Sequence, residues 1–268
     1  MAVSLDSYLR SLSYDRYYLK NSSAEVGRID ASVASMIANL KSHFGARLKT
    51  SLVFGSYERD TILPRSIDEK SDVDILVVFN HSEYERTPET YRNWLVSFAN
   101  ANYREPYGSH VVKTFPTVTI RLSNINYDLV PAKEEQLLSF GSTYYIPDKL
   151  NEWRDTNPKD VKEKVTSANT RFGSIVKPII RLMKAWNAFN GYPFDSYEME
   201  REIADMYFAG DTIQSGFFYV AKHLSTDWSA TKENKLTSLR YNLEQVENYL
   251  DSDNLDRAKH WLHRVLPT

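Results

Sequence analysis

No part of this chain restricts its fold more than Ser51 to Phe79, SLVFGSYERDTILPRSIDEKSDVDILVVF. Leu52 to Phe54 reads as a strand, Gly55-Ser56 as a tight turn opening a short helix or loop, and Asp72 to Phe79 as a second strand. Side chains at i and i+2 of a strand share a face, so Asp72 and Asp74 set two carboxylates side by side where the second strand leaves its loop. Such a pair suits a hard divalent cation. Gly55 allows a sharp turn and a close backbone approach to a ligand. Ser56 adds a hydroxyl beside the outward amides of a helix start, a setting for phosphate oxygens.

Taken singly, a Gly-Ser is an ordinary turn and a D-x-D an ordinary solvated pair. Together, the strand, Gly-Ser, polar loop and Asp-Val-Asp-Ile-Leu-Val-Val resemble the signature of the DNA polymerase beta-like nucleotidyltransferases. The fuller wording GSYERDTILPRSIDEKSDVDILVVF is similar to that of the bacterial CD-NTases with a SMODS-type domain, relatives of cyclic GMP-AMP synthase and 2′-5′-oligoadenylate synthetase. The loop from Ser56 to Asp72 is longer than in minimal superfamily members and carries Arg59, Arg65 and Asp68. The resemblance implies an α+β, two-lobed polymerase beta-like fold, with a mixed-sheet core lobe and a helical C-terminal lobe. The expected boundaries are 1–150 for the catalytic core with its N-terminal helix and 151–268 for the helical lobe.

A chain of 268 residues can bury a substantial core, and 42% hydrophobic with 25% charged residues is ordinary for a soluble globular protein. The net charge of -2, with acids and bases interspersed, supplies no global field for wrapping a long polyanion. With no cysteine there is neither a disulfide nor a Cys-ligated zinc. The start MAVSLDSYLRSL lacks a signal-peptide pattern, and no apolar run approaches the roughly 20 residues of a membrane span. A cytoplasmic protein without membrane association is expected.

The first forty-odd residues read as helix, with Val26, Ile29, Val33, Met36, Ile37 and Leu40 at helical spacing and Gly45 near the stop. Ahead of them, Tyr8, Tyr14, Tyr17 and Tyr18 either cover the core with their rings or form a surface for product or primer. Pro88 to Ala101 has helical spacing, and His110 to Lys113, Thr117 to Leu122 and Ile125 to Val130 read as strands. Only Ser123 and Asn124 separate the last two, as in a hairpin, and Pro131 is expected to end the final strand. Asp128 alternates there with apolar residues. In isolation it reads as a strand-end acid facing water; the resemblance, through the segment YDLVPA, makes it the third metal-binding acid. Three carboxylates on adjacent strands repel, and bound cations resolve that conflict.

Beyond Asp148 the pattern is helical, with helices expected over Lys159 to Asn169, Gly173 to Phe189, Ser196 to Phe208, Ile213 to Asp227, Glu233 to Leu250 and Leu255 to Leu266. RLMKAWN followed by a loop and SYEME resembles the helical half of the same family. That resemblance implies that Lys184 reaches a donor triphosphate, Ser196 bonds a phosphate oxygen and Tyr197 stacks on the donor base. The residues alone read instead as a solvated lysine, an N-cap serine and a core aromatic.

The implied activity is a nucleotidyltransferase that joins nucleoside triphosphates into a cyclic or short linear oligonucleotide second messenger in antiphage signalling, read by a separate effector. Two Mg²⁺ ions on Asp72, Asp74 and Asp128, with Mn²⁺ as a substitute, would serve it, and no obligate nucleic-acid activator is expected. Transfer of a nucleotide to an RNA, a protein or a small molecule, and a nucleotide-binding scaffold, are the alternatives.

Overall fold

The computed structural model describes residues 3–137 and 141–268. The chain opens with α1 (Asp6–Ser11), continues as a π-helical turn (Leu12–Arg16) and a 3-10 turn (Leu19–Asn21), and then enters α2 (Ser23–Phe44). The long helix expected through Val26 to Leu40 is α2; ahead of it Ser22 is extended (φ -90°, ψ 94°), and its side chain caps α2 by accepting the Glu25 N–H. Ile29, Val33, Met36, Leu40 and Phe44 form the buried stripe of α2.

The sheet comprises β1 (Leu48–Phe54), β2 (Asp72–Phe79), β3 (His110–Lys113), β4 (Val118–Arg121), β5 (Asn126–Leu137), β6 (Gly141–Pro147) and β7 (Trp153–Thr156). Between its strands lie α3 (Gly55–Glu58), α4 (Pro88–Ala99) and α5 (Glu105–Tyr107). The strand order is β1-β2-β5-β4-β3, with β6 pairing the far half of β5 and β7 pairing β6. Among the described residues only β2 and β5 run parallel, so the sheet is mixed as expected. Alternation along β2 and β5 divides the apolar residues between two faces. On one face Leu76, Val78, Val130 and Ala132 form a cluster with Leu52, Phe54, Tyr144 and Ile146. On the other, Phe79 meets the rings of Phe44, Tyr91 and Trp94 from α2 and α4.

β5 does not stop at Pro131. Asn126–Leu129 pairs with β4 and Lys133–Leu137 with β6, so Pro131 falls where no antiparallel neighbour requires its absent N–H. β7 lies ahead of the first helix expected beyond Asp148, within the stretch 151–268 assigned to the helical lobe; its four residues, Trp-Arg-Asp-Thr, carry too short a pattern to read alone.

The helical elements are α6 (Asp160–Arg171), α7 (Val176–Phe189), α8 (Ser196–Asp205), α9 (Ile213–His223), α10 (Ala230–Asp251) and α11 (Leu255–Leu262). Contacts divide the chain into a helical unit, Met1–Asn21, Asp60–Glu69 and Glu163–Thr268, and a sheet unit, Ser22–Arg59 and Lys70–Lys162. This differs from contiguous boundaries at 1–150 and 151–268. The N-terminal tyrosines account for part of the difference. Tyr17 is fully buried and its hydroxyl donates to the Pro267 carbonyl at 2.5 Å, while Tyr8 pairs with His263 at 2.7 Å and Tyr14 donates to the Ser174 carbonyl at 3.2 Å. The buried Arg181 guanidinium lies 4.5 Å from the Tyr18 ring centre and donates to the Ser13 carbonyl at 2.7 Å. The tyrosines thus cover the helical core. Among the described residues no helix is long and apolar enough to cross a membrane.

Candidate active site

In the sheet unit, register brings the acids together. Asp74 of β2 stands directly beside Asp128 of β5, and Asp72 beside Asn126. Asp72, Asp74 and Asp128 lie on the face that carries Leu76, Val78 and Val130, at the end of that apolar cluster. All three acids are partly exposed. β1 ends opposite Asp74, with Phe54 as its partner, so the turn at Gly55 opens onto the same place. Gly55 is buried with φ +74°, and a Cβ on it would lie 1.8 Å from Asp74 Oδ2. The glycine is needed twice, for the left-handed backbone and for the carboxylate beside it.

Ser56 sits in the first turn of α3, which is anchored from two sides. The Tyr57 hydroxyl donates to Asp30 Oδ1 of α2 at 2.5 Å, and Lys162 pairs with Glu58. Asp128 accepts from Thr119 Oγ1 of β4 at 2.6 Å. Burial pushes its carboxyl above the usual carboxylate range, against the pull of the Thr119 and Thr117 hydroxyls and of Arg121.

These donors fit a divalent cation in chemistry and in backbone register: hard carboxylate oxygens on neighbouring strands, one of them penalised by burial. Among the described residues no three His, Cys, Asp or Glu side chains already converge as a cage. Of the Asp128 oxygens, Oδ1 is the one held by the Thr119 hydroxyl.

In the helical unit, Lys184 is not a solvated helix lysine. It is 6% exposed, and its Nζ donates to Oε1 of the fully buried Glu200 at 3.0 Å. Glu200 Oε2 in turn accepts from Thr61 Oγ1 at 2.8 Å, tying α7 and α8 to the segment that follows the Gly-Ser turn. The N-cap of α8 is Asp195, accepting the Glu198 N–H at 3.0 Å, so Ser196 occupies the first helical position. Tyr197 is 46% exposed and is therefore not a core aromatic. The long polar loop is partly structural: Arg59 and Asp68 are buried, and Asp68 accepts the Tyr192 hydroxyl at 2.7 Å.

Sequence reasoning missed Thr119, Glu200 and Asp30. For Thr119 a signal existed. A two-residue turn at Ser123 and Asn124 pairs Leu122 with Ile125, and counting outward from that pair sets Thr119 opposite Asp128, the observed register. Glu200 and Asp30 gave none, because a glutamate or aspartate on an amphipathic helix reads as a solvated charge.

A family model described as "SMODS: Second Messenger Oligonucleotide or Dinucleotide Synthetase domain" matches residues 3–169. The probable cyclic nucleotide synthase IK1_05630 of Bacillus cereus (strain VD146) is 34% identical over 92 residues, which are 33% of this chain and 28% of that protein. The match thus spans well under a third of that relative's length. Among solved structures, the Bradyrhizobium diazoefficiens CD-NTase CdnG in complex with GTP superposes with a TM-score of 0.71 at 13% identity, covering 98% of this chain and 99% of that one. CdnC of Escherichia coli MS115-1 with ATP gives a TM-score of 0.69 at 13% identity over 98% of both chains. At these identities the likeness is one of fold.

Proposed function

Since the chain belongs to the Second Messenger Oligonucleotide or Dinucleotide Synthetase family and has the polymerase beta-like nucleotidyltransferase fold of the CD-NTases, we propose that it joins nucleoside triphosphates into a cyclic or short linear oligonucleotide second messenger. The observation that carries this reading is the register of Asp74 against Asp128, with Asp72 on the same face and Gly55 opening beside them.

In the proposed step a sugar hydroxyl of one nucleotide gives up its proton to water and its oxygen bonds to the α-phosphorus of another, the bond from that phosphorus to its β-phosphate oxygen breaks, and pyrophosphate leaves with the electron pair. Asp72, Asp74 and Asp128 would hold two Mg²⁺ or Mn²⁺ ions, which supply charge stabilisation at the phosphates and acidify the attacking hydroxyl. Gly55 and Ser56 hold the triphosphate in line through the turn and the hydroxyl of α3. Asp128, on the strand beside Asp74, faces the attacking hydroxyl. In the helical unit, Tyr197 offers an exposed ring to a donor base and Ser196 a hydroxyl to a phosphate oxygen. Lys184 supplies positive charge from a fixed position, braced by Glu200. The product would signal to a separate effector in antiphage defence, in the cytoplasm.

The test is incubation of the purified chain with the common ribo- and deoxyribonucleoside triphosphates plus Mg²⁺ or Mn²⁺, with products identified by mass spectrometry. Oligonucleotide products with stoichiometric pyrophosphate are expected, with or without added double-stranded DNA. Nucleotides recovered unchanged under all metal conditions, from folded protein that binds them, would refute the synthase reading.

A further inference from the structure

Three adjacent strands place Thr119, Asp128 and Asp74 in one row. Thr119 of β4 is the cross-strand partner of Asp128, and Asp128 is the parallel-register partner of Asp74. The central acid therefore has another carboxylate on one side and a hydroxyl on the other.

We propose that Thr119 is a positioning residue that aims the Asp128 carboxylate toward a divalent cation, an inference that rests on the reading of Asp128 as a metal-binding acid. A carboxylate can only accept, so the single Thr119 hydroxyl proton is committed to Asp128 Oδ1 at 2.6 Å. Thr119 Oγ1 also lies 3.1 Å from Thr114 Oγ1, which lies 2.5 Å from Thr117 Oγ1. The hydroxyl is thus held by its own neighbours as well as by the acid. Asp128 would otherwise rotate away from the like charge of Asp74; one pinned oxygen fixes the plane of the carboxylate. Hydrogen bonds that orient metal-binding side chains typically contribute about 10–100-fold to metal affinity or activity.

Thr119→Val is the direct test, because valine keeps the β-branched shape favoured in a strand while removing the hydroxyl. Mn²⁺ would be titrated into the full chain with a non-hydrolysable ATP analogue, and free Mn²⁺ read by electron paramagnetic resonance. Thr119→Val should weaken Mn²⁺ binding by roughly 10-fold or more and lower kcat more than it raises KM, at unchanged melting temperature. Thr119→Ser, which restores the hydroxyl, should recover both. Asp128→Asn separates the inference from its premise. If Asp128→Asn weakens Mn²⁺ binding and Thr119→Val does not, the positioning role is wrong while the acid assignment stands. If Asp128→Asn leaves Mn²⁺ binding intact, the acid assignment fails and the inference with it. Thr119→Ala serves if the valine variant does not fold; failure of both to fold would make Thr119 a structural residue and overturn the proposal.

Discussion

Gly55 and Asp74 share a space that holds only one side chain: a Cβ on Gly55 would stand 1.8 Å from Asp74 Oδ2 and 2.7 Å from its Cγ. The Gly55 turn and β2 are therefore interlocked, and the left-handed backbone at φ +74° adds a second demand for glycine.

Gly55→Ala is expected to cost about 1–2 kcal/mol for the left-handed backbone alone, with more from displacing the Asp74 carboxylate. Turnover should fall by orders of magnitude in protein that still gives a cooperative melt. Wild-type turnover in this variant would show that neither the turn nor Asp74 needs its observed position.

Asp72→Asn or Asp74→Asn should abolish product formation while leaving the melting temperature unchanged or higher, because removing one of several neighbouring anions relieves repulsion. Calorimetry without divalent metal, set beside the mass-spectrometric assay, decides this. A folded variant with near wild-type rate in Mg²⁺ would remove the mutated acid from the metal site.

Breaking the Lys184–Glu200 pair leaves an uncompensated buried charge. Lys184→Met or Glu200→Leu alone should destabilise by about 3–5 kcal/mol, and the double variant should regain most of the loss. Denaturant titration measures both. Lys184→Met should also weaken triphosphate binding more than nucleoside binding; equal weakening of the two would leave Lys184 a purely structural role.

Tyr197→Ala should weaken donor binding by roughly 1–3 kcal/mol, the range for base–aromatic stacking, and Tyr197→Phe should be mild because the ring face remains. If phenylalanine proves as damaging as alanine, the hydroxyl is the important group and stacking is the wrong role.

Asp60 accepts from Lys20 at 2.7 Å and Lys177 at 2.9 Å. Burial pushes its carboxyl up, but the two ammonium groups outweigh that and hold it below the usual 3.8. Because the folded pKa is depressed, the pair's contribution is present above about pH 4 and is lost as pH falls through the folded value. Asp60→Asn keeps a side chain tolerant of the positive φ of 62° there. It should destabilise by no more than about 1 kcal/mol at pH 7, a difference that closes in acid. An offset constant from pH 7 to pH 2.5 in thermal melts would contradict the ion-pair account.

The sequence by itself determined whatever depends on near neighbours along the chain. Alternation put Asp72 and Asp74 on one face, the Gly-Ser turn marked the end of β1, and the two-residue hairpin turn set Thr119 against Asp128. Helical spacing located α2, α4 and the later helices, since the period of the apolar pattern is a local property. Tertiary structure alone decided the rest. The parallel pairing of β2 with β5, which sets Asp128 beside Asp74, joins strands separated by a long connection, and no short turn fixes that register. Continuation of β5 through Pro131 depended on which strands lay alongside. Assignment of the first 21 residues and of Asp60–Glu69 to the helical unit followed from contacts such as Tyr17 with Pro267 and Thr61 with Glu200. Lys184 and Glu200 read as surface charges in sequence because helical periodicity shows only the apolar stripe; it does not reveal when two opposite charges are buried against each other.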